Sequence, residues 1–382
     1  MPAPPALLRR GPFREGAFSS PLHEPRTVVV LGRWLGAAVV VCFLTGLTSH
    51  LLQDPPGWLA PHLPARPVNG YRFTQGLHVI AGLAAIPLTG AKLWAVYPRL
   101  FEWPPARSVL HALERLAIAL LVAAVLLELF TGLLNTLQWY PWPFPFRQTH
   151  FWLGWLATGA LLVHLAVKAP LIAAYWWRRA APVLGQAPTE RRAFLLATTA
   201  AAGAVTLVTA GQSVPWLRPL DLLAPRRPDL GPQGLPVNRT AAQAGTLTVP
   251  ADWRLRVDGP RPYQLTLAEL GELPQYEVEL PISCVEGWSA GARWTGVRVA
   301  ELVRRAGAPP GSAVRVTSLE AEGPYRVTEM PAPYVDDPLS LLALRVNGEV
   351  LAADHGFPAR VIVPNRPGVL QTKWVERIEV LG

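Results

Sequence analysis

Five stretches of the chain are apolar at nearly every position, and each has the roughly 20 residues a helix needs to cross a bilayer. They run from Trp34 to Leu52, Phe73 to Val96, Leu113 to Leu137, Phe151 to Trp176 and Phe194 to Val214. The aromatic, Pro-rich segment Trp139–Phe146 reads as an interfacial belt. Beyond the fifth stretch the pattern changes, because Pro and Gly crowd Pro215–Pro236 as in an extended linker. Short β-branched runs then predict strands over Arg254–Val257, Tyr276–Leu280, Ala313–Thr317, Arg360–Val363 and Val375–Val380, with the turn Asp258-Gly259 ending the first. Helical patterns cover Val299–Ala306 and Pro338–Val346. The predicted fold class is multi-domain. An all-α transmembrane bundle of four helices occupies residues 1–180, a fifth anchor helix 190–215, a linker 216–237 and an α+β domain 238–382.

Composition agrees with this division. In 382 residues 51% are hydrophobic and 16% charged, too apolar for an ordinary soluble globule. The formal charge of +9 has no basic patch with base-reading residues beside it, so nucleic acid is not a predicted partner. Topology accounts for the charge instead. Arg9, Arg10, Arg14 and Arg26 precede the first stretch, Arg99 and Arg107 separate the second from the third, and Arg178, Arg179, Arg191 and Arg192 separate the fourth from the fifth. The opposite loops hold Arg66, Arg72 and Arg147. The positive-inside rule therefore places the N-terminus in the cytoplasm and the residues after the fifth stretch outside a cell membrane. Two cysteines, Cys42 and Cys284, make no disulfide framework, and the absence of C-x-x-C-H and C-x-x-C excludes covalent c-type haem and the usual zinc or iron–sulfur pairs.

Ionisable side chains within a bilayer are costly, which makes each histidine there a candidate for function. His50, His78, His111, His150 and His164 fall in or at the ends of the apolar stretches. His150 and His164 are fourteen residues apart, about 21 Å and roughly four turns along a helix, so both rings fall near one face at different depths. That spacing suits two stacked haems, each held by imidazoles from two helices. By depth the pairs are His78 with His150, with His50 as the substitute, and His111 with His164. This half resembles the four-helix b-type cytochrome subunits of formate dehydrogenases and hydrogenases and their cytochrome b561 relatives. The resemblance implies one or two haem b groups exchanging electrons with a quinone pool. Arg191 and Arg192, followed by Phe194 and an Ala-rich run, resemble a twin-arginine export signal placed inside the chain.

Two blocks carry chemistry in the last domain. PISCVEGWSAGARWTGV begins at Pro281 and puts Cys284 at a strand end; DHGFPARVIVP begins at Asp354 and is followed by TKWVERIEV from Thr372. Together they resemble the cofactor-binding segments of the sulfite-oxidase family of molybdopterin enzymes. That resemblance implies Cys284 as the catalytic thiolate ligand of molybdenum and His355, Arg360 and Lys373 as contacts to the pterin and its phosphate, with Asn238 and Ser318 as further matches. The residue types suit these roles, since thiolate is a soft ligand and Arg and Lys bind phosphate as fork and point charge. Where sulfite oxidases follow the ligand Cys with an Asn-Arg-Arg type segment, this chain has Val285, Glu286, Gly287, Trp288 and Ser289. That departure looks like the periplasmic methionine-sulfoxide reductase branch. The expected function is thus a membrane-bound molybdenum oxidoreductase transferring an oxygen atom to or from a small donor or acceptor. A sulfite-type dehydrogenase running oxidatively, and a non-catalytic electron-transfer or assembly module, are the alternatives.

Overall fold

The computed structural model describes residues 11–14, 17–176, 187–224 and 230–381. Arg9, Arg10, Arg178 and Arg179, counted above among the charges that set topology, lie outside the described residues, as does part of the expected linker. The chain divides into two compact units, residues 1–44 with 77–209, and residues 45–76 with 210–382.

Among the described residues, five helices are long and apolar enough to cross a membrane. They are α1 Pro25–Gln53, α2 Gly70–Val96, α3 Val109–Thr136, α4 Phe146–Trp176 and α5 Ala187–Leu207. The first four begin three to nine residues before their apolar runs, because polar first turns and caps extend a helix beyond its hydrophobic stretch. Pro25 opens α1, where its missing N–H costs nothing, and Ser108 caps α3 by accepting from His111 N at 3.1 Å. In the first unit α3 packs on α4 with Ala124, Ala157 and Ala160 buried, small side chains that let helices approach closely. Glu114 pairs with Lys168 and Glu128 meets His150 at 3.0 Å between these helices. Leu113, Leu116, Trp152 and Leu162 are exposed, as a face turned to lipid would be.

The second unit holds two five-stranded sheets. The strands are β1 Arg254–Asp258, β2 Tyr263–Thr266, β3 Tyr276–Ser283, β4 Ser289–Arg298, β5 Val314–Ser318, β6 Val327–Met330, β7 Leu341–Val346, β8 Glu349–Val350, β9 Arg360–Ile362 and β10 Val375–Val380. One sheet runs β2-β1-β10-β5-β6, with β1 and β10 parallel; the other runs β3-β4-β7-β8 with β9 also on β7. The predicted helix Pro338–Val346 is corrected to strand β7. Its Leu-rich run sits between β4 and β9 with five of six residues buried, and a strand buried on both faces loses the period-two signal that separates it from a helix. Helix Val299–Arg305 and the five predicted strands appear close to their expected bounds, while β2, β4, β6 and β8 were not predicted.

Residues 45–76 belong to this unit by packing. Leu52, Leu63, Ala65 and Tyr71 join the core cluster of Leu255, Val257, Val316, Val375 and Ile378. Arg66 forks onto Asp337 at 2.8 and 3.1 Å, and Gln53 donates to Tyr325 Oη at 2.7 Å. Asn365 is the central clasp. Its Oδ1 accepts from Tyr71 N and its Nδ2 donates to Pro64 O, both at 2.7 Å, while its own N–H donates to Val68 O at 3.1 Å. Its φ of 51° is a conformation that Asn tolerates better than most side chains.

Asn365→Ala strands the buried Tyr71 N–H and Pro64 carbonyl, and should cost about 2 kcal/mol or more. In thermal unfolding followed by tryptophan fluorescence this appears as a lowered midpoint, and an unchanged midpoint would show that the clasp contributes nothing. Asn365→Gly keeps the backbone conformation and should lose nearly as much.

Candidate active site

The site grows from three local structures. The first is the turn after β3. Cys284 N–H donates to Trp288 O at 2.9 Å and Gly287 N–H to Cys284 O at 3.1 Å, closing a loop in which Gly287 adopts φ +100°. Only glycine takes that conformation without strain. The loop sets Cys284 at 1% exposure with its sulfur 3.9 Å from Asn238 Nδ2. Glu286, 3% exposed, accepts from Trp288 Nε1 at 2.9 Å. Burial pushes the Cys284 thiol well above its ordinary value and the Glu286 carboxylate adds to this, while the N–H groups of Glu286 and Val285 act the other way. A bound metal reverses that preference by deprotonating a coordinating thiol outright.

The second local structure is the turn before β9. The short helix Ala353–His355 ends at Gly356 with φ +106°, where a Cβ would stand 3.0 to 3.1 Å from Lys373 and Arg360 atoms. His355 Nε2 donates to Pro232 O at 2.7 Å, and burial with the nearby Arg360 pushes the imidazole down to about 4, so it is neutral at physiological pH. Arg360, 3% exposed, donates to His355 O at 3.2 Å and Gln371 O at 3.3 Å, and its Nε has no partner. Burial pushes this guanidinium down to about 9.

The third is the entry to β10. Lys373 Nζ donates to Arg239 O at 2.7 Å and Asp354 O at 2.9 Å, and burial, together with Arg360, pushes it down to about 7. Trp374 follows in the left-handed region at φ 53° with its indole fully buried and donating to Ala353 O. Ser318 is also fully buried; its hydroxyl donates to Lys373 O at 2.8 Å, so it holds the lysine's backbone and does not line the cavity.

One cavity of about 310 Å³, part of it open to solvent, is lined by Asn238, Cys284, His355, Arg360 and Lys373 together with Pro236, Ile282, Trp288 and Gly368. The structure thus gathers five of the six predicted cofactor residues around one space. Pro236, Ile282 and Gly368 were not anticipated. Gly368 reads as a turn residue in sequence, yet a Cβ there would stand 3.0 Å from Ser283 O, so a bare backbone is needed beside the Cys284 loop. The donor set suits an anionic, metal-bearing cofactor. Arg360 is buried and Lys373 half-buried, among the described residues no carboxylate is hydrogen-bonded to either, Arg360 Nε is an orphan, and one buried sulfur faces the same space. Such groups are costly to bury unless an anion joins them.

The histidines of the first unit are placed separately. The His78 and His150 rings lie 6.2 Å apart between centroids at 79°. His78 Nδ1 donates to Cys42 O at 2.9 Å. His150 Nε2 meets Glu128, and its Nδ1 lies 3.1 Å from Thr131 Oγ1. His164 Nδ1 is buried without a partner. His111 sits in the first turn of α3, where its Nδ1 accepts from Arg107 N at 3.1 Å. His50 lies in the last turn of α1, in the second unit.

Residues 243–382 match the family model described as the oxidoreductase molybdopterin binding domain. Among curated proteins, the chain is 34% identical over 155 residues to the protein-methionine-sulfoxide reductase catalytic subunit MsrP of Burkholderia mallei, covering 36% of this chain and 46% of that protein. It is 34% identical over 166 residues to sulfite oxidase of Gallus gallus, covering 34% and 35%. With the uncharacterized oxidoreductase YuiH of Bacillus subtilis it shares 33% identity over 130 residues, covering 33% and 64%. In each case the chain covers less than two thirds of the relative's own length. The sequence matches give one statement: residues 243–382 are similar to the molybdopterin-binding domain of oxidoreductases, with sulfite oxidases and methionine-sulfoxide reductase catalytic subunits among the proteins they resemble.

Proposed function

We propose that the chain is a membrane-bound oxidoreductase that holds molybdenum-molybdopterin outside the cytoplasm, exchanges an oxygen atom with a small substrate there, and passes electrons to or from the quinone pool through b-type haem. Sulfoxide reduction is the direction we assign. The observation that carries this reading is the convergence of Cys284 and Arg360, both buried, and the half-buried Lys373 on one cavity. Cys284 would supply the protein thiolate to the metal, and Arg360 and Lys373 would receive the anionic end of the pterin. His355, neutral and tied to Pro232 O, would offer a ring face without adding charge. The bound cofactor supplies two-electron oxygen-atom transfer. Trp288 and Ile282 wall the cavity with apolar surface and keep bulk water from the sulfur. The run Val285, Glu286, Gly287, Trp288 and Ser289 brings no cation beside Cys284 for a sulfite oxyanion, which favours a neutral substrate such as a sulfoxide.

Membrane placement is supported by the five long apolar helices and by the exposed Leu and Trp side chains of α3 and α4. Arg191 and Arg192, in the first two turns of α5, would act as the export signal that delivers a folded, cofactor-loaded domain. For haem, the His78 and His150 pair has the supporting geometry. The Nδ1 of His78 is committed to a carbonyl, which orients the ring as a partner behind a metal ligand does. Glu128 would have to yield Nε2 of His150 for that nitrogen to ligate. A second haem would lie between His111 and His164, with His50 as the substitute ligand for the first.

Three measurements test this reading. Cys284→Ser should leave any haem spectrum and its reduction by quinol intact while slowing haem reoxidation by a sulfoxide at least about 100-fold, because a hard oxygen replaces a soft sulfur. Turnover at the wild-type rate would remove Cys284 from the site. His150→Ala should abolish one b-type signal in reduced-minus-oxidised spectra; retention of the full wild-type signal would end its candidacy as a ligand.

Lys373→Met tests the anion site without catalysis. Molybdenum retained on purification should fall, yet the cofactor-free domain should melt no lower than wild type. The sign follows from the lysine's folded-state value of about 7 against its ordinary 10.5. Between these values the unfolded chain binds a proton that the folded chain does not, so burying Lys373 costs stability fully below pH 7, and the cost fades as pH rises towards 10. The advantage of Lys373→Met in melting temperature should therefore shrink from pH 7 to pH 9, and a variant advantage that grows with pH would contradict the assignment.

A further inference from the structure

The turn that carries Cys284 is gripped from outside as well as closed from within. The backbone N–H groups of Val285 and Glu286 favour the thiolate form of Cys284. The Val285–Glu286 peptide is trans, since the cis bonds among the described residues all precede prolines. In a trans peptide the carbonyl and the N–H leave on opposite sides, so the Val285 carbonyl and the Glu286 N–H face opposite ways. That carbonyl accepts from Gln75 Nε2 at 2.6 Å, and Gln75, on the second turn of α2, is 7% exposed. At the far end of the turn the Gly287 carbonyl accepts from Ser213 Oγ. Arg72 in turn forks onto Ser213 O at 3.2 and 3.0 Å. The approach of Ser213 to α2 needs glycine at position 76, where a Cβ would stand 2.9 Å from Ser213 Cβ.

We infer that Gln75 is a positioning residue of the molybdenum site, acting through the Val285–Glu286 peptide to set how strongly the Cys284 sulfur donates electrons to the metal. The inference rests on the molybdenum reading of Cys284. A hydrogen bond accepted at a peptide carbonyl polarises the unit and strengthens the bond its N–H donates, by about 10–30% in condensed phase. An N–H directed at a thiolate withdraws electron density, and hydrogen bonds to ligating sulfur are an established lever on metal potentials. Without the Gln75 donor, the Glu286 N–H binds the sulfur more weakly. The sulfur becomes more electron-rich, the oxidised metal is favoured, and the potential falls. Ser213 grips a different peptide of the same turn, so it provides the comparison for a purely mechanical effect.

The experiment is a redox titration of the paramagnetic molybdenum signal in the full-length, cofactor-loaded protein, in wild type, Gln75→Met, Gln75→Glu and Ser213→Ala, with molybdenum content measured on each. Gln75→Met preserves length and removes the donor; Gln75→Glu preserves polarity and carries the test where the Met variant does not fold. Both should lower the midpoint potential and alter the g values at wild-type molybdenum content, whereas Ser213→Ala should lower the melting temperature and leave the potential in place. An unchanged potential and unchanged g values in a loaded Gln75 variant overturn the inference and leave the molybdenum reading standing. An equal shift in Ser213→Ala also overturns it, since general loosening then explains both. Wild-type protein purified without molybdenum would bring down the metal assignment, and this inference with it.

Discussion

Taking a guanidinium and an ammonium out of water costs several kcal/mol each unless an anion meets them, and the C-terminal unit buries the first and half-buries the second around a cavity shared with a single thiol. Arg360 and Lys373 are pushed down to about 9 and about 7 by that burial. Their protein partners are carbonyl oxygens, which carry partial charge only. Much of the surrounding fold serves to hold these groups in place against that cost. Gly356 lets the turn before β9 press against both residues, Ser318 fastens the lysine's backbone, and Trp374 accepts a left-handed conformation to bury its indole beneath it. A fold that keeps such groups dry has a stake in an anionic ligand.

The second constraint is the turn at Cys284, whose peptide groups are divided by direction. The N–H groups of Cys284 and Gly287 close the loop, those of Val285 and Glu286 favour the thiolate, and the carbonyls of Val285 and Gly287 are taken by Gln75 and Ser213. Residues 45–76 therefore contribute to the unit in two ways. Leu52, Leu63 and Tyr71 complete its core, and Gln75 completes the hydrogen bonding of the turn. Asn365 ties the two roles together, since it clasps Tyr71 three residues before Gly368, which itself lies against Ser283. In this chain the Cys284 turn depends on a segment that precedes it by some two hundred residues in sequence.

The sequence by itself determined the division into an apolar helical part and a mixed α and β part, because twenty consecutive apolar residues and short β-branched runs are local signals. Its resemblance to sulfite-oxidase-family segments also pointed to Cys284, Arg360, Lys373, His355 and Asn238, which line one cavity in the structure. The β7 strand was misread as a helix because complete burial erases the alternation that a half-exposed strand displays. Ser318 was read as a contact to the cofactor, and the structure makes it a brace for Lys373. Only tertiary structure decided which unit residues 45–76 join, that Arg360 Nε is left without a partner, and that Gln75 reaches the Val285 carbonyl. The physical reason is the same in each case: burial and pairing are properties of surroundings assembled from distant parts of the chain, and a glutamine on an apolar helix gives no local sign of which carbonyl it will meet.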